Sequence, residues 1–243
     1  MRLLLLGGTR EAVELAECLE ADGHAITLSL AGRTREPRAA NVETRMGGFG
    51  GAEGLAAFLA HGAFDALIDA THPFAATISA NASLACETVG VPRMALHRPA
   101  WERRKGDDWR SAPDVPAAAA ALPGGGHALL ALGRQHLAPF LAREDLRLTA
   151  RMIEAPDEAV AARMEIVRGR PSTDPGEEAA FLARLGVTHV VSRNSGGAGA
   201  YAKIEAARTL GLPVVMIDRP PPPSPPRVGT VGEVMTWLGS LRA

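Results

Sequence analysis

Short apolar runs recur along the chain and alternate with stretches in which apolar residues return at helical spacing. Arg2 to Leu6 is the first run. It ends in Gly7-Gly8-Thr9-Arg10-Glu11, after which Ala12 to Leu19 reads as a helix. Ala25 to Leu30 is the next strand, closed by Ala31-Gly32-Arg33-Thr34, and Val42 to Met46 is a third, before the glycine cluster at Gly47 to Gly51. Leu55 to Leu59 is helical, Phe64 to Ala70 a strand ending in Thr71-His72-Pro73, Thr77 to Val89 a helix, and Pro92 to His97 a strand. Strands that alternate with helices in this way predict parallel βαβ units and an α/β fold.

Arg98 to Pro116 interrupts the rhythm with charges, aromatics and prolines, and marks a crossing between two lobes, 1–97 and 98–243, through which a strand could pass. The alternation then resumes. Ala128 to Leu132, Leu146 to Met152 and Glu165 to Val167 read as strands; Arg134 to Ala142 and Pro175 to Leu185 read as helices. Val187 to Val191, a polar glycine turn, a helix from Gly199 to Leu210 and the run Pro213 to Ile217 make a further βαβ unit. The proline run from Pro220 to Pro226 is a stiff spacer before a final helix, Thr230 to Leu241. The expectation is two Rossmann-like lobes with parallel sheets and a cleft between them.

At 243 residues with 47% hydrophobic residues, the chain can bury a core, either as one large domain or as two small ones. A net charge of −1 argues against general nucleic-acid binding but leaves room for local arginine clusters that grip a small anion. No apolar run reaches membrane-spanning length, and the run behind Arg2 is too short for a signal peptide. Cys18 and Cys86 are unpaired in pattern and read as buried thiols, with no metal-ligand spacing. These features predict a soluble cytoplasmic protein, monomeric or a weak homo-oligomer, with no nucleic-acid, membrane or metal partner.

Candidate chemistry gathers at the ends of the predicted strands. Around Arg193-Asn194-Ser195-Gly196-Gly197 the backbone can approach an anion, and the following helix offers unpaired N–H groups. Lys203 lies about one turn into that helix, placed to reach back towards the loop; of 26 lysines and arginines only two are lysine, so an ammonium here suggests that a compact point charge is wanted. Gly7-Gly8-Thr9-Arg10-Glu11 is a possible dinucleotide turn, although it does not match GxGxxG. At the end of the second strand, Ser29, Gly32 and Arg33 stand where NAD-binding folds carry an acid. If a nucleotide binds, NADP is therefore favoured over NAD. Thr71 and His72 follow the fourth strand, where they could hold phosphate, ribose or substrate, with His72 also a candidate general acid. No GxSxG, HExxH or P-loop is present, and the single tyrosine, Tyr201, does not form a YxxxK pair with Lys203.

Taken in order, GGTRE, DATHPFA and the RNSGG segment with its following lysine resemble the precorrin-6A reductase and cobalt-precorrin-6A reductase family of cobalamin biosynthesis, over Leu3 to Pro220. The resemblance implies an NADPH-dependent reduction of one carbon–carbon double bond of the precorrin-6A macrocycle, giving precorrin-6B. It aligns Thr9 and Glu11 with the family's first turn, Thr71 and His72 with its second motif, and Asn194, Ser195, Gly196 and Lys203 with its third. Together with the strand-end reading above, this places Gly7, Gly8, Thr9, Glu11, Ser29, Gly32, Arg33, Thr71, Ser195 and Gly196 at the cofactor as expectations, and Lys203 and His72 at the chemistry. Because the macrocycle carries many carboxylates, Arg10, Arg151, Arg193 and Asn194 are expected to hold the substrate. Two departures are visible: Arg193 stands where relatives often have lysine, and Gly169 to Thr173 replaces a glycine-proline-aromatic turn. The alternative is a non-catalytic two-lobed protein that binds a tetrapyrrole or nucleotide, which preference for NADPH and turnover of a chromophoric substrate would separate from a reductase.

Overall fold

A computed structural model describes residues 1–32, 42–153, 156 and 158–242. In chain order the elements begin with β1 (Arg2–Leu6), α1 (Arg10–Ala21), β2 (Ala25–Leu30), β3 (Glu43–Met46), α2 (Ala52–Gly62), β4 (Ala66–Asp69), α3 (Ala76–Val89) and β5 (Arg93–Leu96). They continue with β6 (Trp109–Ala112), α4 (Val115–Ala120), β7 (His127–Ala131), α5 (Ala138–Leu141), β8 (Arg147–Met152), α6 (Glu158–Ala161), β9 (Glu165–Arg168) and α7 (Pro175–Leu185). The last are β10 (His189–Arg193), α8 (Ala202–Thr209), β11 (Val214–Ile217), β12 (Arg227–Val228) and α9 (Val231–Ser240).

The chain divides into two compact units, one formed by residues 1–99 and 220–243, the other by 100–219. The second lobe expected over 98–243 is thus shortened at its far end. The reason is strand pairing: after the prolines, Arg227 and Val228 add to β5 opposite Ala95 and Leu96. α9 then lays Val234 and Leu238 into the same apolar cluster as Leu15 and Leu19 of α1. A capping box fixes where α9 starts, Thr230 bonding the Glu233 amide while the Glu233 carboxylate receives the Thr230 amide.

In the first unit the sheet order is β12-β5-β4-β1-β2-β3, with every neighbouring pair parallel. Leu3 to Leu6 are all buried, as a strand covered by helices on both faces requires. One face packs on α1 and α9, the other on α2 and α3 through Leu55, Leu59, Ala82 and Cys86. Register sets Arg45, Ser29, Leu6 and Asp69 side by side across the carboxyl edge. Cys86 is buried and its thiol is pushed up to about 11 by desolvation; Cys18, expected inside, is exposed on the outer face of α1.

In the second unit the order is β6-β11-β10-β7-β8-β9, again parallel throughout. The crossing segment, through which a strand could pass, supplies the edge strand β6 of this sheet and then α4, a helix that the sequence pattern had not revealed. Pro116 reads as a breaker, yet it occupies the first turn of α4 behind the Asp114 cap, where no N–H is needed. The helix expected over Arg134 to Ala142 splits into a 3₁₀ turn (Arg134–His136) and α5, with Pro139 in the first turn of the latter. β10 begins two residues later than its apolar run because the Val187 amide closes the end of α7 on Leu182, and it continues to Arg193.

Candidate functional site

In the first unit, the strands on either side of β1 are reached in opposite directions, so the β1 and β4 carboxyl ends form the switch point at which open α/β sheets bind ligands. Gly7 donates its amide to Ser29 O at 2.9 Å, and a Cβ on it would stand 2.6 Å from Leu28 Cδ1, so its place is a packing requirement against β2. Gly8 differs: its φ is +110°, and no heavy atom lies within 4 Å of where a Cβ would be, which leaves the backbone open to a close approach. Thr9 caps α1 by accepting the Ala12 amide at 3.1 Å and donates its hydroxyl to Ala70 O at 2.8 Å, tying the β1 and β4 loops together. The first amides of α1 have no acceptor within the helix and form an electropositive end.

Glu11 would repel an anion at this turn, but Arg98 donates to its carboxylate at 2.6 Å. Burial lowers the pKa of that guanidinium, against the Glu11 charge. Arg10 opens α1 and is exposed. Beyond β4, Thr71 directs both its amide (3.1 Å) and its hydroxyl (2.6 Å) onto Oδ1 of buried Asp69. His72 Nδ1 accepts the Phe74 amide at 3.2 Å, an arrangement that assigns the ring proton of the neutral imidazole to Nε2. A cavity of about 270 Å³ opens beside these groups, lined among others by Asp69, Thr71, His72, Ser79, His97 and Ser224.

At the end of β2, the Ser29 hydroxyl is buried and accepts from Arg45 Nη1 at 2.8 Å. Gly32 has a φ of +70° and stands beside Gly47. Arg33 lies outside the described residues.

The second unit gathers Arg151, Arg193, Asn194, Ser195, Gly196 and Lys203 near the ends of β8 and β10. Lys203 is the second residue of α8 and only 5% exposed; its Nζ donates to Ala200 O at 2.7 Å and stands 4.8 Å from the centre of the Trp101 ring. Burial, with the neighbouring Arg151 and Arg193 charges and against the opposing Glu178, brings its pKa down to about 7. A buried amine that titrates near neutrality is the kind of group found at proton-transferring sites.

Two residues expected at the substrate are committed within the protein instead. Arg151 forms a buried bidentate pair with Glu178 (2.8 Å through Nη1) and stacks on Phe181, while Glu178 also accepts the Ser172 amide at 2.9 Å. The Asn194 amide clamps a backbone, accepting from Trp101 N at 2.8 Å and donating to Trp101 O at 2.9 Å. The Trp101 indole donates to Gly197 O at 2.7 Å, so the glycine turn and the start of the second unit are held together. Ser195 stays near the turn's own backbone, its hydroxyl 3.4 Å from Arg193 O; Gly196 is buried with a φ of +65°. Arg193 Nη1 stands 3.4 Å from His136 Nε2.

Asp69, Arg45, Trp101 and Glu178 were not singled out from the sequence. Two of them carried a local signal: Asp69 opens the DATHPFA motif, and Arg45 stands two residues before the Gly47 to Gly51 cluster. Among the described residues no group of three or more His, Cys, Asp or Glu is placed to hold a metal, and no helix is long and apolar enough to cross a membrane.

Comparisons agree on one family. The model described as precorrin-6x reductase CbiJ/CobK matches residues 2–239. A precorrin-6A reductase of Rhodobacter capsulatus is 46% identical over 241 residues, 98% of this chain and 95% of the relative. One from Rhodococcus erythropolis is 41% identical over 243 residues, 99% of this chain and 98% of the relative. A solved structure described as CobK precorrin-6A reductase superposes with a TM-score of 0.95 at 43% identity, covering 100% of this chain and 98% of its own.

Proposed function

The chain belongs to the precorrin-6x reductase CbiJ/CobK family, and from that membership we propose that it reduces one carbon–carbon double bond of precorrin-6A to give precorrin-6B in cobalamin biosynthesis, with NADPH as reductant. The observation that carries the cofactor reading is the β1–α1 turn. Its open glycine, capped helix start and position at the switch point fit a pyrophosphate.

When bound, NADPH would supply the hydride. Gly8, Thr9 and the first amides of α1 hold the pyrophosphate, and Arg98 neutralises Glu11 so that the turn does not repel it. Gly7 serves by packing the turn tightly on β2. Ser29 and Gly32 stand at the end of β2, where the adenosine ribose would lie, and Arg33 follows them in the sequence. Among the described residues no carboxylate stands at this end of β2 to repel a 2′-phosphate. Thr71, oriented by Asp69, and His72, with its ring proton on Nε2, orient the reacting part of cofactor and substrate. Ser195 and Gly196 offer further polar backbone and hydroxyl contacts.

Lys203 delivers the proton that completes the reduction. An amine with a pKa of about 7 both holds and releases a proton near neutrality, which an ordinary lysine does not. Arg10 and Arg193 hold macrocycle carboxylates, while Arg151 acts through Glu178 and by its charge on Lys203. Much of the acceleration then comes from positioning two reactants face to face.

The test is to mix the protein with NADPH and precorrin-6A, following loss of nicotinamide absorbance and product mass. One NADPH consumed per macrocycle and a product heavier by two hydrogens are expected. NADPH left unconsumed, with precorrin-6A unchanged, would overturn the reading.

A further inference from the structure

We propose that Arg45 recognises the phosphate on the adenosine ribose of the bound dinucleotide, and so sets the preference for the phosphorylated cofactor. This rests on the reading that a nicotinamide dinucleotide binds the first unit. Three observations converge on Arg45.

The first is position. β3 lies parallel to β2 with Arg45 opposite Ser29, and the Gly47 amide donates to Leu30 O at 2.9 Å. Arg45 therefore stands at the carboxyl end of the second strand, where a dinucleotide-binding half meets the adenosine ribose.

The second is hydrogen-bonding capacity. A guanidinium has five N–H groups. Arg45 uses Nη1 on Ser29 Oγ (2.8 Å) and Gly47 O (3.2 Å), and Nη2 on Gly48 O (3.0 Å). These contacts fix the plane of the group. An N–H on Nε and a second on Nη2 remain without an acceptor among the described residues, as a fork held ready for oxygen ligands.

The third is charge. Arg45 lies 3.9 Å from the ring centre of Phe49 and 5.1 Å from that of Phe58, and burial lowers its pKa. Yet no carboxylate among the described residues pairs with it. Glu43, two residues earlier on β3, accepts the Thr27 hydroxyl instead. Two other arginines of this unit are engaged elsewhere: Arg98 with Glu11, and Arg93 with the Ser224 and Pro225 carbonyls. A guanidinium that is partly desolvated, clamped by neutral dipoles and left without a counter-ion among the described residues is a site for an anion from outside the chain.

The experiment is calorimetric titration of the full chain with NADPH, NADH, 2′,5′-ADP and 5′-AMP, for wild type, Arg45→Gln, Arg45→Lys and Arg33→Ala. Arg45→Gln retains a polar side chain for the glycine carbonyls and removes the charge. It should weaken NADPH and 2′,5′-ADP by about 10- to 100-fold while NADH and 5′-AMP change by less than about twofold. Arg45→Lys should restore part of the loss. Unchanged NADPH affinity in Arg45→Gln, or a preference lost only in Arg33→Ala, would overturn the proposal and leave the NADPH reading standing. So would equal weakening of NADPH and NADH, which is the signature of a scaffolding role. A wild type that binds neither cofactor would remove the cofactor reading and this proposal with it, whereas one that binds both alike would overturn this proposal and leave dinucleotide binding standing.

Discussion

Set β7 against β1 and the strand orders of the two units coincide: β12-β5-β4-β1-β2-β3 in one, β6-β11-β10-β7-β8-β9 in the other. Equivalent strands nevertheless lead into different segments. After β1 comes a glycine turn and the 12-residue α1, capped by Thr9; after β7 comes a 3₁₀ turn and the four-residue α5. After β4, Thr71 and His72 line a cavity. After β10, Asn194 and the glycines are bound to Trp101. The charges divide in the same way. In the first unit Arg45 lacks a counter-ion among the described residues, whereas in the second Arg151 and Glu178 neutralise one another beside Lys203. A shared sheet topology thus carries an open glycine turn and a guanidinium without a counter-ion among the described residues once, and once a clamped glycine turn with a paired guanidinium, and the difference lies in a few loop residues.

If the Arg151–Glu178 pair and the Asn194–Trp101 clamp hold the second unit together, breaking either should destabilise it. Glu178→Ala leaves a buried guanidinium unpaired and should destabilise the protein by about 3–5 kcal/mol in urea unfolding. A loss below about 1 kcal/mol, as exposed pairs give, would break the comparison.

Lys203→Met should come next. The folded-state pKa of about 7 lies below the ordinary 10.5, so between these values the unfolded chain holds a proton that the folded protein has released. Wild-type stability should therefore rise with pH across that window, and the penalty of burying the charge should be complete below it. The variant should exceed wild type by most near about pH 6 and by least near about pH 10, measured by urea midpoints. A difference independent of pH would contradict a neutral buried amine.

Asn194→Ala removes both clamps on Trp101 and should destabilise by about 1–3 kcal/mol, with a shift in tryptophan fluorescence. The smallest stability effect belongs to the first unit: Gly8→Ala strains a left-handed backbone and should lower stability by about 1 kcal/mol. Its larger consequence should be on NADPH binding, measured by calorimetry. Loss of stability without loss of binding would show that the β1 turn is scaffold too.

The alternation of apolar runs and helical periods made the α/β class and most strands legible, because strands buried on both faces must be continuously apolar. The edge strand β6 escaped, since Trp109-Arg110-Ser111-Ala112 is mostly polar, and so did the two-residue β12 within a proline-rich stretch. At the site, glycine turns and the lone lysine of the third motif were readable as local patterns. The internal partners of Arg151 and Asn194 were not legible, because Glu178 and Trp101 lie 27 and 93 residues away in sequence, where no local pattern reaches. Arg45 was passed over because its role depends on strand register with Ser29, a property of pairing and not of sequence spacing.

The return of residues from Pro220 onward to the first sheet has a consequence for how the nascent chain matures. A ribosome delivers residues 100–219 before β12 and α9, so the second unit can complete its own sheet first. Meanwhile β5 offers an unpaired strand edge, and the α1 cluster lacks Val234 and Leu238. The unit bearing the glycine turn, although its first strand is made earliest, can complete its sheet and its α1 cluster only after residues from 220 onward have been made.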